Sequence, residues 1–180
     1  IWTTAISLNT ATGRLNSAIV TGSISVPALG SDSEGIAFRS GSNSVYVSDE
    51  VSSTIKEFSI STGLQISSVT VPPIYSNLQG NFGLEGLSLG GGSLWTANEE
   101  ALTNDGPLST TSAGSWVRLQ RFDGSAVANG QWGYLTDPIS AMTFLTTAER
   151  SGVADVLALP TGGLLVLERE FGGSFIPNFR

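Results

Sequence analysis

Glu34-Gly35-Ile36-Ala37-Phe38, followed shortly by Val45-Tyr46-Val47-Ser48-Asp49-Glu50, is an acidic residue opening one apolar strand and a glutamate closing the next. The same pattern returns as Glu85-Gly86-Leu87-Ser88-Leu89 with Leu94-Trp95-Thr96-Ala97-Asn98-Glu99-Glu100. A looser third copy reads Asp155-Val156-Leu157-Ala158-Leu159, then Leu164-Leu165-Val166-Leu167-Glu168-Arg169. Equivalent positions in a radial repeat converge on one axis. The pattern therefore predicts that Glu34, Glu85 and Asp155 share one position and that Glu50, Glu99 and Glu168 share another.

Around these copies, residues 17–26, 54–60, 64–71, 116–122 and 163–167 are rich in Ile, Val, Leu and Thr between Gly, Asn, Asp or Pro, and read as strands. Alternating strands run into Asn9-Thr10-Ala11-Thr12-Gly13, Ser61-Thr62-Gly63 and Asp123-Gly124, where glycine supplies the positive φ of a tight turn. In order, these marks give an all-β fold: a β-propeller of four-stranded antiparallel blades. Residues 1–31 would be the outer strands of a preceding blade, 32–82 and 83–151 two blades, and 152–180 a partial one. Closed propellers need at least four blades, so the expectation is an incomplete ring, either a fragment or a chain completed by another copy. Residues 141–145, Ala-Met-Thr-Phe-Leu, are the one place a short helix fits.

Composition narrows the chemistry. With 40% hydrophobic and 13% charged residues in a 180-residue chain, this is a folded domain rather than a disordered one. A net charge of −7 and a single lysine argue against nucleic acid or an anionic membrane surface as partner. The chain has no cysteine and no histidine, which removes disulfides, thiolate chemistry, the serine–histidine triad and the usual zinc ligand sets. No apolar run is long enough to cross a bilayer. The chain begins at Ile1 rather than Met, and with its low lysine and high Ser, Thr and Gly content this suits a secreted or periplasmic bacterial protein.

Ten of the fifteen carboxylates lie in the repeated motifs: Asp32, Glu34, Asp49, Glu50, Glu85, Glu99, Glu100, Asp155, Glu168 and Glu170. Crowded at one channel mouth, they raise one another's pKa unless a cation neutralises them. Oxygen ligands without imidazole or thiolate suit Ca²⁺ or Mg²⁺, a flexible set of carboxylates and carbonyls suits Ca²⁺ better, and Glu50, Glu85, Asp155 and Glu168 are the expected metal ligands. The competing reading makes these acids ties between blades, or partners of the few arginines, with Glu168 beside Arg169 an obvious pair. For Asp32, Asp49, Glu100 and Glu170 the structural role is preferred.

Gly86-Leu87-Ser88-Leu89-Gly90 matches the pattern of a serine nucleophile elbow, but no histidine exists to act as base and no helix follows. Trp95, Tyr46 and Leu165 are expected to pack between blades. Trp116 and Trp132 are free to line a cleft. Arg118 and Arg121, three apart on a strand, face opposite sides. Arg169 is the better anion-binding candidate.

The motifs at 32–37 (Asp-Ser-Glu-Gly-Ile-Ala), Phe82-Gly83-Leu84-Glu85-Gly86-Leu87, Trp95-Thr96-Ala97-Asn98-Glu99-Glu100-Ala101-Leu102 and Leu164-Leu165-Val166-Leu167-Glu168-Arg169 together resemble the phytase-like esterase domain family. The resemblance implies a propeller-like fold and hydrolysis of a phosphate ester carried by a small molecule. It implies Glu34, Glu85 and Glu99 as acid–base residues, Arg169 as a substrate contact and a carboxylate-held Ca²⁺ screening the phosphate. The alternative from a different class is a non-catalytic extracellular propeller module that binds a partner or assembles on a surface.

Overall fold

The computed structural model describes residues 1–140, 150–171 and 178–179; the expected short helix at 141–145 lies outside them. The chain is all-β, built as antiparallel propeller blades. Strands β1 (Trp2–Leu8) and β2 (Leu15–Ser23) form a hairpin sheet. A four-stranded blade follows, with β3 (Ser33–Arg39), β4 (Ser44–Asp49), β5 (Thr54–Ser59) and β6 (Gln65–Val69) in sequence order. The second blade orders β7 (Leu84–Gly90), β8 (Ser93–Asn98), β9 (Trp116–Phe122) and β10 (Ala128–Leu135) in the same way. The last sheet holds β11 (Arg150–Ala158), β12 (Leu164–Phe171) and β13 (Asn178–Phe179).

The blades stack through their first strands, β3 against β7 and β7 against β11. Alternation makes this work, because successive strand residues point to opposite faces and the inner strands of the second blade are buried on both. Val45, Val47 and Phe58 face the N-terminal side, against Ile1 and Val26. Ala37, Tyr46 and Ile55 face the second blade, against Leu84, Leu87, Leu94 and Phe122. The second blade in turn offers Ala97 and Val117, with Trp95, to Val153 and Val156. Leu165 departs from the expected core role: it occupies the place of Trp95 on a face with no further sheet against it among the described residues, and is 56% exposed.

Turn chemistry follows the sequence at Gly13 and Gly63, both at φ 70°. It differs after Asp123. There Ala126, not Gly124, takes the left-handed conformation at φ 61°. The Asp123 carboxylate accepts the Ser125 and Val127 amides and holds the turn, while the Ala126 side chain packs on the core.

The Glu-Gly dipeptides explain themselves structurally. Between Ser33 and Ile36, and between Leu84 and Leu87, the pairing with the next strand slips by one residue, a β-bulge that contains Glu34-Gly35 in one blade and Glu85-Gly86 in the other. A Cβ on Gly35 would lie 2.6 Å from the Leu87 amide nitrogen, and one on Gly86 would lie 2.7 Å from the Asp155 Cα. The glycine lets the next blade approach.

Register also corrects the third copy. Leu84 pairs with Asn98, and Val153 pairs with Glu168. Gly83 and Gly152 each abut the closing glutamate of the preceding blade, at 2.3 Å from the Glu50 carbonyl oxygen and 2.7 Å from that of Glu99 for an added Cβ. Hence Ala154, not Asp155, occupies the place of Glu34 and Glu85, and Arg169, not Glu168, that of Glu50 and Glu99. On an alternating strand a one-residue slip turns a side chain to the other face.

Candidate functional site

The bulges and strand ends of successive blades meet at one mouth. A cavity of about 380 Å³ is lined there by Glu34, Glu50, Asn81, Phe82, Glu85, Glu99, Arg150 and Arg169. Backbone ties fix the frame: the Glu50 amide donates to the Asp32 carbonyl and the Glu99 amide to the Gly83 carbonyl, each at 2.9 Å. Across blade boundaries the Val153 amide donates to the Glu99 carbonyl at 2.9 Å, and Ser48 accepts the Gly35 amide while donating to the Glu85 carbonyl, both at 2.7 Å.

Glu50, Glu85 and Glu99 are all buried, and each offers an oxygen within 4.8 Å of the others. Asp32, Glu34 and Glu50 form a second such group, with Glu34 exposed at the rim. Glu50 accepts the Gly83 amide at 3.2 Å and the Asn81 side-chain amide at 2.5 Å. Glu99 accepts the Arg169 guanidinium at 2.7 Å. Among the described residues no donor reaches the Glu85 carboxylate.

The electrostatics follow from that contrast. Burial, then the charges of Glu99, Glu34 and Glu50, pushes Glu85 up to about 9. Glu50 rises to about 7, chiefly through burial, with the Gly83 amide opposing the rise and Glu99, Asp32 and Glu34 adding to it. Glu99 is also raised by burial, although Arg169 works against the shift. Glu34, open to solvent at the rim, is raised by partial desolvation against the mouth and by neighbouring Asp32. Such a cluster holds protons near neutral pH or gathers a cation.

The expected site residues thus divide. Glu34, Glu50, Glu85, Glu99 and Arg169 come together. Asp155 and Glu168, expected as metal ligands, do not join them. Asp155 is exposed, lies behind Gly86 and accepts the Val156 amide at 2.8 Å. Glu168 is buried as a tie, accepting the Tyr134 hydroxyl at 2.6 Å and the Asp137 amide at 2.9 Å. The expected Glu168–Arg169 pair is replaced by Arg169 with Glu99, because adjacent strand residues point apart. Glu100 does not line the cavity: it is fully buried, accepts the Ser109 amide and hydroxyl and lies 4.0 Å from the mouth-lining Arg150. Ser88 accepts the Ala158 amide at 2.9 Å, a structural bond between blades rather than a nucleophile's setting.

Asn81 and Arg150 were not anticipated. Both precede the motif glycine by two residues, Gly83 in one blade and Gly152 in the next, and so occupy equivalent places. Asn81 bridges Glu50 and Asp32, and Arg150 lies 5.7 Å over the Phe82 ring. That shared offset was a readable signal.

Known proteins supply the remaining context. None of the curated proteins matches the chain. Among solved structures it is similar to the PQQ-bound aldose sugar dehydrogenase of Streptomyces coelicolor, at TM-score 0.47 and 15% identity over 77% of this chain and 37% of that one. It is also similar to the hydrazine synthase of Kuenenia stuttgartiensis, at TM-score 0.38 and 10% identity over 93% of this chain and 49% of that one. The chain therefore spans less than half the length of either. The family model described as "Phytase-like: Esterase-like activity of phytase" matches residues 4–179, and the chain belongs to that family.

Proposed function

We propose that the acidic mouth hydrolyses phosphate esters with the help of a divalent cation, Ca²⁺ by its donor chemistry. One observation carries the reading: Glu50, Glu85 and Glu99, all buried, converge within 4.8 Å beside Arg169. The donor set fits, being oxygen-only and supplied by two blades, and Glu85 has no protein donor to occupy it among the described residues. Glu50, Glu85 and Glu99 would hold the ion. When bound, it supplies neutralising charge and polarises a phosphoryl oxygen.

The chain's own residues do the rest. Arg169, fixed by Glu99, presents its remaining N–H groups to an anionic ester and orients it. Glu34, at the rim and with its pKa raised, exchanges a proton with the attacking water or the leaving oxygen. A small phosphomonoester matches a cavity of about 380 Å³. An exported bacterial setting belongs to the same proposal, and no helix among the described residues is long and apolar enough to cross a membrane.

The experiment is a Ca²⁺ titration followed by thermal unfolding, alongside turnover of p-nitrophenyl phosphate and inositol hexakisphosphate with a chelator control. Ca²⁺-dependent stabilisation and turnover, both lost in Glu85→Gln, are expected. One observation favours a second reading, a non-catalytic module: Glu50 already ties two blades by accepting the Gly83 amide. Absence of both Ca²⁺ responses in a folded protein decides for that reading.

A further inference from the structure

The outer half of the second blade holds a separate cavity of about 360 Å³, between β9, β10 and the loop that carries Asn104 and Asp105. Its wall is Trp116, which remains 50% exposed. The indole lies over Gly133, where an added Cβ would meet its Cε3 at 3.4 Å and its Cζ3 at 3.5 Å. At those distances an added methyl would make only ordinary van der Waals contact, so the ring lies close over the β10 backbone. The open indole stands directly beside fixed hydrogen-bonding groups, the combination of flat apolar surface and placed polar atoms that small-molecule sites use.

The polar part is built as well. Arg118 meets Asp105 through two parallel bonds, Nε to Oδ2 at 2.6 Å and an Nη to Oδ1 at 2.5 Å. A third guanidinium donor bonds the Gln131 side-chain carbonyl. Gln131 in turn donates to Gln120 at 2.9 Å. The side chains of Arg118 and Asp105 are only 26% and 14% exposed, so the fork is held before any ligand arrives.

The charge decides the ligand class. Arg118 is matched by Asp105, so an anion gains no net attraction here, unlike at an unpaired arginine. What the pair does present is N–H donors and carboxylate acceptors side by side. That pattern suits vicinal hydroxyls, each of which donates and accepts. A flat, weakly polar C–H face suits the open indole. A molecule with both features is a pyranose ring.

We propose that Trp116, Arg118, Asp105, Asn104 and Gln131 form a binding subsite for a neutral saccharide, distinct from the acidic mouth and independent of its function. The test uses the 180-residue chain with cellohexaose, maltohexaose, xylohexaose and chitohexaose as probes, and hexagalacturonate as the anionic control. Binding is read by calorimetry and tryptophan fluorescence. Saturable binding of at least one neutral probe is expected, weakened at least tenfold in Trp116→Ala and less in Trp116→Phe. Asn104→Ala, an exposed change, weakens it severalfold with an unchanged circular dichroism spectrum, while Trp2→Ala leaves it unchanged. No saturable binding by any neutral probe overturns the proposal. So does binding undiminished in Trp116→Ala, an equal loss in Trp2→Ala, or tighter binding of hexagalacturonate.

Discussion

Glu85→Gln separates electrostatic strain from packing at the acidic mouth. Glu85 is buried, lacks a donor among the described residues and has its pKa pushed from 4.5 up to about 9 in the folded chain. A carboxyl whose folded pKa is raised favours the fold fully below its unfolded pKa, and that contribution is lost as pH climbs through the folded value. From about pH 4.5 to about pH 7.5, in the absence of divalent cations, three units at about 1.4 kcal/mol each give a loss on the order of 4 kcal/mol. Glutamine keeps the shape and cannot ionise. In chelator, Glu85→Gln should therefore match the wild type near pH 4.5 and exceed it near pH 7.5 by about 10 °C in Tm, at about 2–4 °C per kcal/mol for a chain of this size. Thermal unfolding followed by circular dichroism across that range reads the effect directly. If the variant and wild type fall in parallel with pH, or the variant melts lower at neutral pH, the claim that Glu85 carries an uncompensated burial cost is refuted.

Three further outcomes follow from the geometry. Gly86→Ala drives a methyl to 2.7 Å from the Asp155 Cα, so the second and third blades must separate; a loss of roughly 2–4 kcal/mol by chemical denaturation is expected. Glu168→Ala leaves the Tyr134 hydroxyl and Asp137 amide without their acceptor and should cost about 1–3 kcal/mol, with Ca²⁺-dependent stabilisation unchanged in calorimetry. Arg169→Gln removes the cation that opposes the rise in the Glu99 pKa; the chelated protein should lose more stability than the wild type as pH rises above the ordinary carboxylate range, in the same unfolding assay.

The first two copies of the motif were legible because Glu-Gly at a bulge and glutamate after β4 or β8 answer two separate physical demands, a close approach of the next blade and a side chain aimed at the mouth. The third copy misled by chemistry. Asp155 looks like the partner of Glu85, and Glu168 like that of Glu99, yet both lie one position from the matching place. Local composition does not reveal that slip, whereas strand pairing does. The bond from Arg169 to Glu99 joins residues far apart in the chain, and no spacing rule announces it. The Arg118 and Arg121 split was readable from alternation alone: one bonds Asp105 and the other lies over Trp95 and Trp132.

Arginine standing where the two preceding blades carry glutamate gives the mouth a direction. Three identical acids in that row would present a single sign of charge along the whole arc. With Glu50 and Glu99 on one arc and Arg169, ion-paired to Glu99, on the next, the rim changes along its length from acceptors alone to a donor fork, so its two ends are chemically distinct.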